Sequence, residues 1–350
     1  MLLPQTYATA LFLMIFSMLC WGSWANTYKL AGRWRFELFY FDYAFGVMLA
    51  AVIYALTVGS LGFDGFTFTD DLMHAGKRQW FFGFLGGVIF NLANMLLVAA
   101  ISVAGLAVAF PIGIGVALVI GVVWNYAIKP QGNPMLLFTG CGIIVVAIIV
   151  DAMAYRALGA MRHEEQAKAG KAKSTRRQLP VKGIIISLAS GILMGLFYPL
   201  VEKGKETELG LGPYAIGFVF AAGVLLSTPV FNMFFMNLPV EGEPVEFRDY
   251  FRGNFKQHLL GVFGGMIWYT GTICSFAAAS APDNVQIGPA ISYAVGQGAT
   301  MVSALWGLLV WKEFKGADMR IKSLVVVMLV LFVAGLAMVS IAPLFAHPAS

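Results

Sequence analysis

Charged side chains are scarce in this sequence. Asp, Glu, Lys and Arg make up 12% of its 350 residues, about half the 25% usual in a soluble domain. That is too little to cover a protein of this size with polar groups. Cysteine is nearly absent. Cys20, Cys141 and Cys274 are odd in number and each lies in an apolar run, so no disulfide framework is implied. No His-Glu-x-x-His or Gly-x-Ser-x-Gly motif occurs, and His74, His163, His258 and His347 fall in loops or near the ends of apolar runs. Metal-dependent and nucleophilic hydrolysis have no visible seat. Gly170-Lys171 lacks a hydroxyl residue after it (Ala172), and Glu165 stands where a phosphate cradle needs glycine. The chain is therefore not read as an enzyme, and no cofactor or metal is expected.

What is present is apolar residue, at 59% of the chain, in long unbroken runs. A helix crosses a bilayer core of about 30 Å with about 20 such residues. Stretches free of Asp, Glu, Lys and Arg are Pro4–Tyr28, Tyr43–Phe63, Gln79–Ile128, Pro130–Val150, Gly183–Val201, Leu209–Val240, Gln257–Pro282, Asn284–Trp311 and Ser323–Ala342. Gln79–Ile128 is twice too long for one helix and breaks naturally near Ser102–Gly105. The fold class is thus an all-α membrane protein with ten transmembrane helices. Met1–Tyr28 has no Lys or Arg, so the first span reads as a retained helix and not a signal peptide.

All but five of the 23 Lys and Arg residues fall on one side of such a bundle; Lys77, Arg78, Lys129, Lys203 and Lys205 fall on the other. The positive-inside rule places the central loop in the cytoplasm and both termini outside. The basic stretch Lys168–Arg177 is read as topogenic, with no nucleic-acid partner. The expected setting is a bacterial inner or plasma membrane. The expected partners are lipid, a small solute and a coupling proton, with the oligomeric state left open.

Five spans lie on each side of the central loop, so duplicated halves would face opposite ways. The expected organisation is a first five-helix repeat over 1–153, a basic loop over 154–182 and a second repeat over 183–350. At a spacing of 178, Gly86-Gly87 recurs as Gly264-Gly265, Phe90 as Trp268, Ala99-Ala100 as Ala277-Ala278, and Pro111 as Pro289. Pro111 and Pro289 are expected to break helices, since proline leaves a carbonyl without its ladder donor. In lipid such breaks are tolerated only against protein or a wet cavity, and matched breaks point to a transport site.

No Asp, Glu, Lys or Arg sits mid-span. The polar groups there are neutral. Asn91 and Asn94 lie three apart on one helical face, and at the same spacing of 178 stand Tyr269 and Thr272. Tyr293 and Gln297 share a stripe on the ninth span with Gln286 and Thr300. With Trp21 and Trp268 they make the expected substrate-binding set: aromatic faces for stacking, with amides and hydroxyls for hydrogen bonds. Carboxylates stand near span ends, among them Glu37, Asp42, Asp151 and Glu202. Asp42, flanked by Tyr40, Phe41 and Tyr43, is the first candidate for proton coupling, with Glu37 beside it.

Several segments resemble the ureide permeases of the drug/metabolite transporter superfamily. They include Tyr40-Phe41-Asp42-Tyr43, Gly86-Gly87-Val88 leading to Asn94, Gly105-Leu106, and Val119-Ile120-Gly121 before Asn125-Tyr126. Further on come Pro213-Tyr214, Val285-Gln286, Pro289, and Trp306-Gly307 leading to Glu313-Phe314. Trp21-Gly22-Ser23-Trp24 with Lys29, Trp34 and Glu37 is also similar to the rhamnose and glucose carriers of that superfamily. The resemblance implies ten helices in two inverted halves. It also implies secondary active import of a ureide or nucleobase such as allantoin or uracil, with protons. A sugar uptake carrier and a drug or metabolite exporter are the alternatives.

Overall fold

The computed structural model describes residues 1–62, 65–104, 106–168, 181–238, 243–282, 285 and 287–345. Among them the regular structure is helical: α1 (Tyr7–Ser23), α2 (Ala25–Ala31), α3 (Phe36–Leu56), α4 (Phe68–His74), α5 (Lys77–Ala104), α6 (Leu106–Ile128) and α7 (Pro134–Lys168). These are followed by α8 (Val181–Lys205), α9 (Pro213–Asn237), α10 (Phe255–Ala279), α11 (Pro289–Gly296), α12 (Ala299–Leu305) and α13 (Met319–Ile341). Nine helices among the described residues are long and apolar enough to cross a membrane. The remaining predicted span falls on α6, whose described apolar stretch Ile112–Ile128 is shorter. The bundle is apolar outside as well as inside. Phe12, Phe45, Leu226, Val230 and Leu309 are exposed on its surface, as a lipid-facing wall requires and a watery one forbids.

Helix starts follow local chemistry. The Thr6 hydroxyl accepts the Thr9 N–H at 3.2 Å, and Asp318 accepts the Ile321 N–H at 2.8 Å. Asn254 and Gln257 cap one another reciprocally. Each satisfies backbone donors that a helix N-terminus leaves free.

Alternating helices gather the connections at two ends. At one, here end A, Leu2 N–H donates to the Val58 carbonyl, Gly76 to Leu209 and Asn133 to Ala342. At the other, end B, Asn232 donates to the Glu37 carbonyl and Lys29 meets Glu313.

Four glycines let helices touch backbone to backbone. A Cβ at Gly265 of α10 would stand 2.0 Å from the Tyr43 carbonyl oxygen of α3, and one at Gly46 of α3 would stand 2.1 Å from that of Val262 in α10. A Cβ at Gly87 of α5 would lie 2.0 Å from the Phe220 carbonyl oxygen of α9, and one at Gly223 of α9 would lie 2.3 Å from that of Phe84 in α5. Close approach of this kind is how helices associate without a hydrophobic driving force.

Some expectations change. The first span is two helices that meet at Trp24. Residues 154–168, read as loop, continue α7. Pro289 does not break a helix. It occupies the first turn of α11, where its missing N–H has no ladder partner to lose. The interruption comes later, at Gln297 and Gly298, between α11 and α12. Position 111 lies within α6, which runs on past it, whereas Gly105, Gln286 and all of the basic stretch Lys168–Arg177 but Lys168 fall outside the described residues. Prolines do stand inside helices elsewhere: Pro199 in α8 and Pro229 in α9.

Candidate functional site

At the centre, side chains of α1, α3, α5, α8, α9, α10 and α11 form one aromatic cluster around Trp268. Its ring stacks on Phe90 at 4.3 Å between centroids, with Phe220 at 6.1 Å and Trp21 at 6.3 Å. Tyr43 tilts against it at 6.4 Å and touches Trp24 and Tyr40 at 4.8 and 4.9 Å. Phe197 joins Phe90 to Tyr293, and Tyr198 packs on Tyr293 at 5.6 Å.

Polar atoms thread the cluster. Trp21 Nε1 donates to Thr272 Oγ1 at 3.1 Å. The indole lies so close to α10 and α11 that a Cβ at Gly271 or Gly296 would collide with it. Asn94 Nδ2 donates to Tyr40 Oη at 3.1 Å. Tyr293 Oη donates to the Met194 carbonyl at 2.9 Å, beside Pro199, which gives Gly195 no ladder donor. Tyr198 Oη and Ser275 Oγ are 3.2 Å apart. The buried Tyr43 Oη has no hydrogen-bond partner among the described residues. Rings with an open hydroxyl suit a flat solute carrying amide groups.

The expected substrate residues thus divide. Trp21, Trp268, Thr272, Asn94 and Tyr293 reach this cluster. Asn91 does not: its Nδ2 donates to the Val224 carbonyl at 3.2 Å, to Ser227 Oγ at 2.8 Å and to Thr228 Oγ1 at 3.1 Å, bracing α9 beside Pro229. Tyr269 turns toward Tyr54, at 6.3 Å between rings. Gln297 caps α11 at the interruption. Phe197 and Phe220 escape the sequence reading, because one more phenylalanine in an apolar helix carries no signal. The recurrence of Phe90 at Trp268 was the visible clue to that stack.

Toward end A opens a cavity of about 510 Å³ lined by Asp71, Lys129, Glu202, Lys205, Gly212 and Ser280 among others. Glu202 and Lys205 pair at 2.7 Å with both side chains largely buried. Glu202 stands one turn from Tyr198, and the cavity-lining Ala279 one turn from Ser275, about 6 Å along each helix. The cavity floor therefore borders the central cluster.

Asp71 is buried there and accepts the Gly212 N–H at 2.8 Å. Burial pushes its carboxyl up to about 6, opposed by that N–H, His74 and the terminal ammonium. The sign follows from a raised folded-state value. Stability is fully present below about 4, where the acid is protonated in both states, and is lost as pH rises toward and through 6. Asp71→Asn keeps the acceptor and removes the ionisation. It is expected to raise the apparent Tm at pH 8 by about 2–4 °C, for about 1 kcal/mol, and to flatten the wild-type decline between pH 4 and 7 in a thermal-unfolding series. An Asn variant as pH-dependent as wild type would refute this.

End B carries two charged groupings. Asp42 accepts from Tyr250 Oη at 2.6 Å and meets His258 Nδ1 at 2.8 Å, and His258 sits edge-on to Trp34 and Tyr250. Burial and the neighbouring Asp42 raise the Tyr250 hydroxyl above its ordinary value. Glu37 is gripped by Arg35 through Nε and an Nη at 3.2 and 2.7 Å. That hydrogen bond raises the guanidinium further. His258 was not foreseen as a partner for Asp42, since 216 residues separate them. The second grouping centres on Glu313, which pairs with Lys29 at 2.5 Å and accepts from Tyr155 Oη at 3.1 Å.

The ureide permease family model matches residues 39–181. Three ureide permeases of Arabidopsis thaliana align over 96% of this chain: number 4 at 25% identity over 98% of its own length, number 1 at 24% over 97%, and number 2 at 23% over 98%. A solved crystal structure superposes with a TM-score of 0.60 at 15% identity, covering 95% of this chain and 96% of its own, which speaks for the fold alone. By the matched model and by these full-length relatives, the chain is similar to the ureide permeases.

Proposed function

We propose that the chain is a secondary transporter that carries a ureide or a nucleobase-like solute, of the kind of allantoin or uracil, across the membrane by alternating access. The observation that carries this reading is the stack of Trp268 on Phe90 at 4.3 Å, with the unpartnered Tyr43 hydroxyl in the same cluster. The two rings touch in this conformation, so a flat amide ring stacks on one of them once they part and hydrogen-bonds at its edge. No charged group belongs to the cluster, so a neutral cargo fits better than an ion.

The halves 1–153 and 183–350 act as inverted repeats that rock around this centre. The backbone contacts support it: Gly87 meets α9 as Gly265 meets α3, and the two glycines stand 178 residues apart. The distribution of Lys and Arg favours end B, the side of the basic segment 154–182, as the cytoplasmic side. End A then faces outward, and its cavity is the vestibule through which imported cargo arrives. Asp42, held by His258 and Tyr250, and Glu37, held by Arg35, serve as ties at end B and are not assigned the coupling proton.

A ligand stabilises the fold that binds it. The purified protein is expected to gain thermal stability with allantoin or uracil and none with glucose or rhamnose. Asn94→Ala, which releases Tyr40, is expected to lower uptake about tenfold, for about 1.4 kcal/mol, at unchanged surface expression. Stabilisation by monosaccharides alone would transfer the cargo to the sugar class. Unaltered uptake kinetics in Asn94→Ala would remove Asn94 from the site.

A further inference from the structure

Asp151 has no part in the mechanism so far. It lies inside the membrane-spanning part of α7, it is 5% exposed, and its Oδ1 has no hydrogen-bond partner among the described residues. One turn further along α7, Tyr155 donates to Glu313 Oε2 at 3.1 Å. Glu313 ties several elements together at end B. Its carboxylate holds Lys29 of α2 at 2.5 Å, and its carbonyl accepts from Arg162 of α7. Lys29 also sits over the Trp311 ring, 4.3 Å from its centre, while Trp311 Nε1 donates to Asn26 Oδ1 of α2 at 2.6 Å.

The segment that presents Glu313 is unusual. After α12 the chain winds as a π-helix over Trp306–Val310, and Lys312 adopts φ +52. Glu313 N–H then folds back onto the Gly307 carbonyl at 2.8 Å. A Cβ at Gly307 would stand 2.7 Å from Glu313 Oε2 and 2.9 Å from the Tyr155 hydroxyl. π-turns of this kind recur at functional sites, and a non-glycine residue at positive φ persists only where its surroundings enforce it.

We propose that Asp151 is a proton-binding site coupled to a latch made by Glu313 and Lys29, so that Asp151 holds a proton while end B is closed and gives it up when end B opens. The chemistry follows from the neighbours. Two carboxylates near one ammonium do not both ionise cheaply, and an unpaired charge in a dry interior is costly. Lys29 and Tyr155 serve Glu313, and no such partner meets Asp151 Oδ1 among the described residues, so the proton is assigned to Asp151. The other helices packed along α7 bring no further charge to it. α13 carries Arg320 and Lys322 in its first turn and no titratable residue after them, and the only one in α6 is Tyr126. When Lys29 parts from Glu313, water reaches α7. The O–H bond of Asp151 then breaks, the proton passes to that water, and a carboxylate remains. Reprotonation from water precedes the next closure. One positive charge moves per cycle.

The coupling of this proton to cargo rests on the transport reading; the proton site itself does not. Two measurements on the full chain in lipid separate them. Infrared difference spectra of the purified protein across a pH titration are expected to contain the C=O band of a protonated acid that vanishes in Asp151→Asn. In vesicles, uptake of allantoin or uracil driven by a pH gradient is expected to fall at least about tenfold in that variant, while exchange of labelled for unlabelled solute continues, as for a carrier that has lost its ion. Asp151→Glu, which retains an acid, restores the band and part of the gradient response, which separates loss of the proton from loss of the fold. An acid band unchanged in Asp151→Asn overturns the assignment. So does a gradient response lost in His258→Gln and kept in Asp151→Asn. Absence of any ureide or nucleobase exchange by the wild type would sink the cargo reading instead, with the infrared band still deciding Asp151.

Discussion

Gly265→Val is expected to yield no folded protein. The new Cβ would stand 2.0 Å from the Tyr43 carbonyl oxygen and 2.7 Å from the Val47 nitrogen. Both are backbone atoms of α3, and neither turns aside as a side chain would. Relief requires α3 and α10 to separate along their length. Yet Gly46 meets the Val262 carbonyl on the same seam, and one turn away Tyr43 packs on Trp268. Overpacking a core against movable side chains costs about 1–3 kcal/mol; against backbone the cost is larger, and whole domains have only about 5–15 kcal/mol to lose. Gly142→Val is the control, since a Cβ there meets nothing within 4 Å. Size-exclusion profiles in detergent decide it. A monodisperse Gly265→Val protein as heat-resistant as wild type would show that the seam is looser than described.

Trp268→Ala is expected to weaken specific binding sharply and the fold with it. Stacking of a nucleobase on an aromatic side chain is worth about 1–3 kcal/mol, which is roughly a 5- to 150-fold loss in affinity. The substitution also vacates the space among Phe90, Phe220, Trp21 and Tyr43, at about 3–5 kcal/mol of stability. The two effects separate when calorimetric affinity is referred to the folded fraction and when Trp268→Phe is measured beside it. Phenylalanine keeps a ring and most of the packing, so its affinity should fall between the other two. Wild-type affinity for uracil or allantoin in folded Trp268→Ala would place the cargo elsewhere.

The apolar runs were legible because hydropathy alone decides what crosses lipid. Partners across the bundle were not. Asn91 and Asn94 share a helical face, and their spacing says so. It does not say that the first meets the Val224 carbonyl of α9 while the second meets Tyr40 of α3. Thr272 and Tyr269 diverge in the same way: one turns to Trp21 and the other to Tyr54. Asp42 stood out for its aromatic flanks, but the histidine that answers it lies on another helix. Pro289 misled for a different reason. The charge-free run begins before it, so nothing local distinguished a first-turn proline from an interior one. The Gly296-Gln297-Gly298 triplet was the better mark of discontinuity, since glycine on both sides leaves little to hold a helix together.

That triplet also works as a joint. Above it, α11 carries Tyr293 against α8 through the Met194 carbonyl. Below it, α12 leads into the segment whose Trp306 indole is anchored to Ser23. Two short rods linked by glycines need not tilt as one. In the proposed transporter, a thrust on either rod would be absorbed at the elbow before it reached the other, so one door would swing while the opposite stayed shut, and the membrane would be spared an open passage between strokes.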